Sequence, residues 1–259
     1  MRFVETQPQR LPLSRRVTGA EWATRVDLAA CYRIAAHYRM TDLIYTHISA
    51  RVPDTDGQFL INAYGLLFEE ITASSLVKVT LAGEVIEDET GLGINPAGYV
   101  IHSAIHGARH DVGCVMHTHT GAGLAVAAQR QGLLPLTQHA MRFAGGLAYH
   151  EYEGIALDLD ERERLILDLG THNAMILRNH GLLTCGATVR VAFDLMYYLE
   201  RACQAQVGAM GAGAELVVPP AAVADKVARQ FARPGRTAPD TQWAALLRML
   251  DRTDPSYRT

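Results

Sequence analysis

A chain of 259 residues with 49% apolar and 20% charged residues has the composition of a globular protein with one large core, which excludes intrinsic disorder. Its formal charge of −3 argues against a nucleic-acid-binding or anionic-membrane surface. No apolar run reaches the roughly 18 residues of a transmembrane helix, and four cysteines without a CxxC pair (Cys31, Cys114, Cys185, Cys203) fit reduced thiols in the cytoplasm.

Residues 1–20 are polar, carry Pro8 and Pro12, and have no apolar run behind their charges, so they read as an arm and not as a secretory signal. From Glu21 to Tyr38 the apolar spacing at Val26, Cys31, Ile34, Ala35 and Tyr38 predicts an amphipathic helix. Tyr45–Val52 and Gln58–Asn62, joined across Pro53–Gly57, predict a hairpin. Leu76–Leu81 and Glu84–Glu87, joined at Ala82-Gly83, predict a second. Asn95 as N-cap and Pro96 at the first helical position open a helix that runs to about Arg109. Gly113–His119 predicts a short apolar strand, Gly121–Gln129 a small-residue helix and Glu161–Leu169 a charged helix. Ala174–Arg178 and Leu182–Thr184 predict strands on either side of Asn179-His180-Gly181. A long helix from about Val189 to Met210 follows, then a Gly/Ala/Pro-rich break at Gly211–Pro220, then helices at Ala221–Ala232 and Thr241–Leu250. The expected organisation is an arm (1–20), a layered α/β domain (21–210) and a helical C-terminal extension (211–259).

The chain has eleven histidines, and their placement suggests chemistry. The two-residue side-chain period of a strand sends His117 and His119 from one face at a strand's end, as two ligands of one metal would be sent. A lone His-x-His is as consistent with surface or satisfied core, and His180, also at a strand's end, can supply a third imidazole; spacing alone leaves both readings open. His102 and His106 share a helix face. His106 reads as part of a solvated stripe and His102, flanked by Ile101 and Ile105, as half-buried. His37 and His172 read as surface. There is no GxSxG and no Walker loop, Gly121-Ala122-Gly123 lacks the rest of a dinucleotide fingerprint, and Met196-Tyr197-Tyr198 reads as core.

Four motifs then occur in one order: Thr46-His47-Ile48-Ser49-Ala50-Arg51, Asn95-Pro96-Ala97-Gly98-Tyr99, His117-Thr118-His119-Thr120 and Arg178-Asn179-His180-Gly181-Leu182-Leu183. Together they resemble the class II aldolase/adducin family over about Asp27 to Gln206. The closing segment Trp243–Arg258 resembles bacterial members nearer to adducin heads than to sugar-phosphate aldolases. The resemblance implies a three-layer α/β/α sandwich around a mixed, mostly antiparallel sheet. It implies a homo-oligomer, commonly a four-fold tetramer, with sites near subunit interfaces. It also implies that His117, His119 and His180 bind a divalent ion, Zn²⁺ first, with Mn²⁺ or Fe²⁺ as alternatives.

The departures from the family narrow the function. The aldolases' acid/base glutamate falls at Gly98, which has no side chain to move a proton. Their phosphate cradle falls at Thr46-His47, Tyr64-Gly65 and Pro96-Ala97, where proline offers no N–H and alanine no hydroxyl. The expected substrate-binding residues are therefore His47, Tyr64, Gly65 and Gly98, lining a site for an unphosphorylated compound. His139 falls near a position where some aldolases carry a catalytic tyrosine. With His102 and Glu151 it completes the set of expected acid/base groups. The leading expectation is a metal-dependent lyase of aldolase or decarboxylase type acting on a small hydroxy-carbonyl or carboxylate compound. The alternatives are a non-haem iron oxygenase on aromatic 2-oxo acids and a non-enzymatic, adducin-like assembly protein.

Overall fold

The computed structural model describes residues 11–154, 161–233, 235 and 238–259. Eight strands form one sheet: β1 (His47–Arg51), β2 (Gln58–Asn62), β3 (Leu76–Thr80), β4 (Val85–Glu87), β5 (Cys114–Thr118), β6 (Ala148–His150), β7 (Ala174–Leu177) and β8 (Gly181–Gly186). Their order across the sheet is β4-β3-β2-β1-β5-β8-β7-β6, antiparallel at every pairing except β6 with β7. Both predicted hairpins form, β1–β2 and β3–β4. The reading of the sequence omitted β6 and the helical turn Gln138–Met141, because three and four residues are too few to carry a period.

The helices are α1 (Gly19–His37), α2 (Pro96–Ala108), α3 (Gly121–Ala127), α4 (Gln138–Met141), α5 (Glu161–Leu169), α6 (Val189–Gly211), α7 (Ala221–Phe231) and α8 (Ala238–Thr253). Thr18 caps α1 by accepting from Glu21 N at 3.1 Å, and Thr188 caps α6 by accepting from Val191 N. One face of the sheet, through Ile48, Ala50, Leu60, Met116, Ile176 and Leu182, packs on α1 and α6 in the larger core. The opposite face, through Val115, Met175, Leu177 and Leu183, packs on Ile101 and Ile105 of α2 and Leu165 and Leu169 of α5. Beyond the Gly/Ala/Pro break, Trp243 and Leu250 of α8 and Tyr257 join the larger core, and Ser74 N donates to Thr259 O at 2.9 Å. Among the described residues no helix is long and apolar enough to cross a membrane.

One packing contact positions the site. In α2 a four-residue step advances about 6.0 Å, and in β1 a two-residue step advances about 6.8 Å. The helix row Gly98, His102, His106 therefore runs alongside the strand row His47, Ser49, Arg51. Ser49 Oγ lies 2.6 Å from His102 Nδ1 and 2.8 Å from His106 Nε2, and Arg51 donates to His106 O at 2.6 Å. The expectation that His106 belongs to a solvated stripe is corrected here: it is 1% exposed. Its ring stacks on Phe59 with centroids 5.0 Å apart, because the α2 face that meets β1 is this histidine row. His102, expected half-buried, is fully buried.

Candidate metal centre

Strand register brings the site together. His47 of β1 and His117 of β5 are direct Cα partners. On the other side of β5, Thr118 pairs with Leu182, so the chain beyond Thr118 runs beside the turn that enters β8. That turn is Asn179-His180-Gly181. Asn179 is left-handed with φ 55°, a conformation asparagine tolerates. Gly181 has φ 155°, and a Cβ there would stand 2.5 Å from Thr118 O and 3.1 Å from the His119 ring. Only a residue without a side chain lets the turn close over the two strand histidines.

The result is one cluster. Among the described residues, His117, His119 and His180 form the one group of three metal-ligating side chains whose ligand atoms all lie within 4.8 Å of one another. Hydrogen bonding sets which nitrogens face the centre. His117 Nδ1 lies 2.9 Å from Leu182 O, and a carbonyl only accepts, so Nδ1 carries the proton. His119 Nδ1 lies 3.0 Å from Asp42 Oδ2 and by the same argument donates to it. In the neutral rings both Nε2 atoms then carry lone pairs, and they face each other at 2.9 Å. Two facing lone pairs at hydrogen-bond distance repel unless a cation lies against them. The donor set therefore fits a divalent ion, with outer partners that fix each ring as metal sites require.

The electrostatics agree. Burial first, then the neighbouring imidazoles, pushes His117 well below the ordinary histidine pKa. Burial, with His119 and His150, lowers His180 to about 4. Neutral imidazoles are the form that ligates. Three imidazoles holding a divalent ion in their neutral form would leave it its full charge.

The chain on either side of the ligands is pinned. Thr120 caps α3 and donates to the buried carboxylate of Glu200, whose pKa burial raises. Thr118 Oγ1 approaches Met196 Sδ at 3.3 Å. Arg178 lies over the Tyr149 ring at 4.3 Å and donates to Gln129 O at 2.8 Å, holding the approach to His180.

The remaining expected residues divide. His47 stands beside the triad, and burial, with His119 and His180, lowers its pKa to about 3. Gly98, in the first turn of α2, lies directly against the His47 ring. Tyr64 and Gly65 follow β2 at the end of the sheet where β1 begins, Tyr64 N donating to Gly93 O at 2.9 Å. His102 lies behind His47, ring centroids 6.0 Å apart. His139 sits on α4 with its ring 4.9 Å from that of Tyr198 on α6, and no described contact joins it to the triad. Glu151 is an exposed carboxylate 3.9 Å from Arg178 Nε and likewise makes no described contact with the triad. Sequence reasoning missed Asp42, Ser49 and Tyr152, whose ring centroid lies 6.3 Å from that of His180. Ser49 stands inside the first family motif and in the strand row of His47, though no role is read for it from the sequence; Asp42 and Tyr152 lie in loops and give no signal.

An eight-stranded mixed sheet with helices on both faces and three imidazoles gathered at one sheet end defines an α/β sandwich with a candidate metal centre. The family profile described as Class II Aldolase and Adducin N-terminal domain matches residues 26–207, and the chain belongs to that family. It is 53% identical over 247 residues to a Pseudomonas aeruginosa protein assigned by name to aldolase class 2, covering 94% of this chain and 95% of that one. It is 46% identical over 185 residues to alpha-adducin of Rattus norvegicus, covering 71% of this chain and 25% of the adducin. It superposes with a TM-score of 0.92 on an aldolase II superfamily protein from Pseudomonas syringae (57% identity; 95% of this chain, 99% of that chain). With a TM-score of 0.80 it superposes on L-fuculose 1-phosphate aldolase from Glaciozyma antarctica (27% identity; 98% and 97%). The expected α/β/α sandwich around a mostly antiparallel sheet is the fold the chain has.

Proposed function

We propose that the protein is a metal-dependent carbon–carbon lyase, of aldolase or decarboxylase type, acting on a small unphosphorylated hydroxy-carbonyl or carboxylate compound. The observation that carries this reading is the pair of Nε2 lone pairs of His117 and His119, turned toward each other by Leu182 O and Asp42, with His180 completing the set. His117, His119 and His180 would hold the ion, with Zn²⁺ as the leading candidate. A divalent ion bound there supplies Lewis acidity, which lets negative charge develop on a substrate oxygen as a C–C bond breaks.

The chain's own residues shape the rest. Gly98 offers no carboxylate to take a proton from a substrate hydroxyl, which favours loss of CO₂ over aldol cleavage, since decarboxylation needs no such removal. Pro96 leaves the amino end of α2 without one N–H donor, which weakens any phosphate cradle there. Tyr152, exposed and close to His180, is placed to deliver the proton that the product carbon must gain. His139, which makes no described contact with the triad, is given no step in this reading. The working setting we infer is a cytoplasmic homo-oligomer with a small-molecule substrate.

Elemental analysis of protein purified without added metal or chelator tests the reading. About one zinc per chain is expected, and His180→Ala should lose it while the far-ultraviolet circular dichroism is retained. Calorimetry on the zinc-loaded protein should give phosphorylated sugars no advantage over their unphosphorylated counterparts. Failure to take up any divalent ion on titration would overturn the lyase and leave an adducin-like assembly role.

A further inference from the structure

We propose that His47 occupies the volume from which a side chain at residue 98 would reach the substrate, and that its imidazole holds a substrate hydroxyl there. The inference deepens the lyase reading and rests on the metal centre described above.

Steric reciprocity is the first support. A Cβ built on Gly98 would stand 2.6 Å from His47 Cγ and closer still to its Cε1 and Nδ1. The imidazole fills the space where that Cβ would stand, so residue 98 cannot carry a side chain while the histidine at residue 47 keeps this place. The second support is direction. His47 is the register partner of His117, so its side chain leaves the sheet on the same face, one strand over. It is 6% exposed, and neither Nδ1 nor Nε2 has a hydrogen-bond partner. Buried polar atoms are paired in most proteins, and leaving one unpaired costs about 1–3 kcal/mol. Two such atoms on one ring, beside an open metal site, mark a group built to be paired by what binds there. His47 is not part of the cluster of three ligand atoms, which separates it from the ion-holding set.

The third support lies behind the ring. His102 meets His47 edge-on, with an interplanar angle of 85°, and is itself tied to Ser49 and through it to His106. The Ser49 hydroxyl has one proton, so one of these imidazoles donates to it and the other accepts. The row is braced and cannot swing away to make room.

A neutral imidazole offers one donor and one acceptor. A hydroxyl, which both donates and accepts, pairs with whichever of the two nitrogens faces the substrate; a phosphate dianion pairs only with the donor. The substrate class this selects is an α-hydroxy-carbonyl compound, its carbonyl toward the triad and its hydroxyl toward His47.

The test is calorimetric binding of two metal-chelating hydroxamates that differ by one hydroxyl, acetohydroxamate and glycolohydroxamate, to the zinc-loaded full chain. The wild type should bind glycolohydroxamate about tenfold more tightly, the worth of one well-made hydrogen bond. His47→Phe and His47→Ala should erase the preference at unchanged zinc content. A preference that survives both substitutions, or is missing in the wild type, overturns the role of His47 and leaves the metal centre intact. If neither hydroxamate binds the zinc-loaded wild type, the metal centre itself falls and His47 with it. Stability supplies an independent check. Gly98→Ala should lower the urea midpoint and His47→Ala in the same chain should restore it; a Gly98→Ala protein as stable as the wild type would refute the reciprocity.

Discussion

The buried histidine row beneath the site makes folding stability depend on pH in a way that can be calculated for His106. Burial, and next the Arg51 guanidinium, lowers its pKa to about 3 in the folded chain, against about 6.5 when unfolded. The folded value is the lower one, so the neutral ring's contribution is complete above about pH 6.5 and is lost as the pH falls toward 3. Between pH 7 and pH 5 the unfolded state gains most of a proton that the folded state refuses. Linkage then removes about 2 kcal/mol from the unfolding free energy over that interval. His106→Gln removes the titration while leaving an amide within reach of Ser49. Urea unfolding of chelator-treated wild type and variant, at equal chain concentration and at both pH values, should show a pH-dependent loss about 2 kcal/mol smaller in the variant. His102, also pushed down chiefly by burial, contributes to both proteins and cancels in the comparison. Equal losses within about 0.5 kcal/mol would mean that His106 accepts a proton in the folded chain, and the account of a dry, neutral row would be wrong.

Two further outcomes follow from the same geometry. Asp42 accepts from His119 Nδ1 and so orients one ligand; Asp42→Ala should weaken zinc affinity roughly tenfold or more, measured by competition with a chromophoric chelator, and an unchanged affinity would remove Asp42 from the site. All four cysteines are buried, and burial raises their thiol pKa values, Cys185 to about 11. A disulfide-exchange reagent at pH 8 should therefore label none of them in the native chain and all four after denaturation, and rapid native labelling would contradict this packing.

The part of the site that could be read in the sequence was the part set by local periodicity. A two-residue period placed His117 and His119 on one face, and a turn signal placed His180 at a strand's end. What no period reveals is which rows face each other. The helix row of Gly98, His102 and His106 meets the strand row of His47, Ser49 and Arg51 through a non-local packing choice. Taken alone, His106 looked like part of a solvated face, because the partner that covers it is 57 residues away in sequence. The resemblance to the family named His47 and Gly98 as two separate departures; only the packing makes them one exchange, a ring for a side chain. Asp42 lies in a loop fixed by left-handed residues, where no pattern points.

The distribution of backbone strain bears on whether this site is used. Among the described residues five non-glycine positions have positive φ, and three of them, Leu43, Thr46 and Asn179, immediately adjoin Asp42, His47 and His180. Thr46, at φ 69°, is the costliest, since a β-branched side chain crowds the left-handed conformation, and its buried hydroxyl has no partner. Such positions cost on the order of 1–3 kcal/mol each and persist where the surroundings fix them. A surface for assembly would need neither a strained, unpaired threonine in the interior nor an imidazole with two unpaired nitrogens beside it. The left-handed positions next to Asp42, His47 and His180 turn those side chains toward one end of the sheet, as the proposed lyase requires.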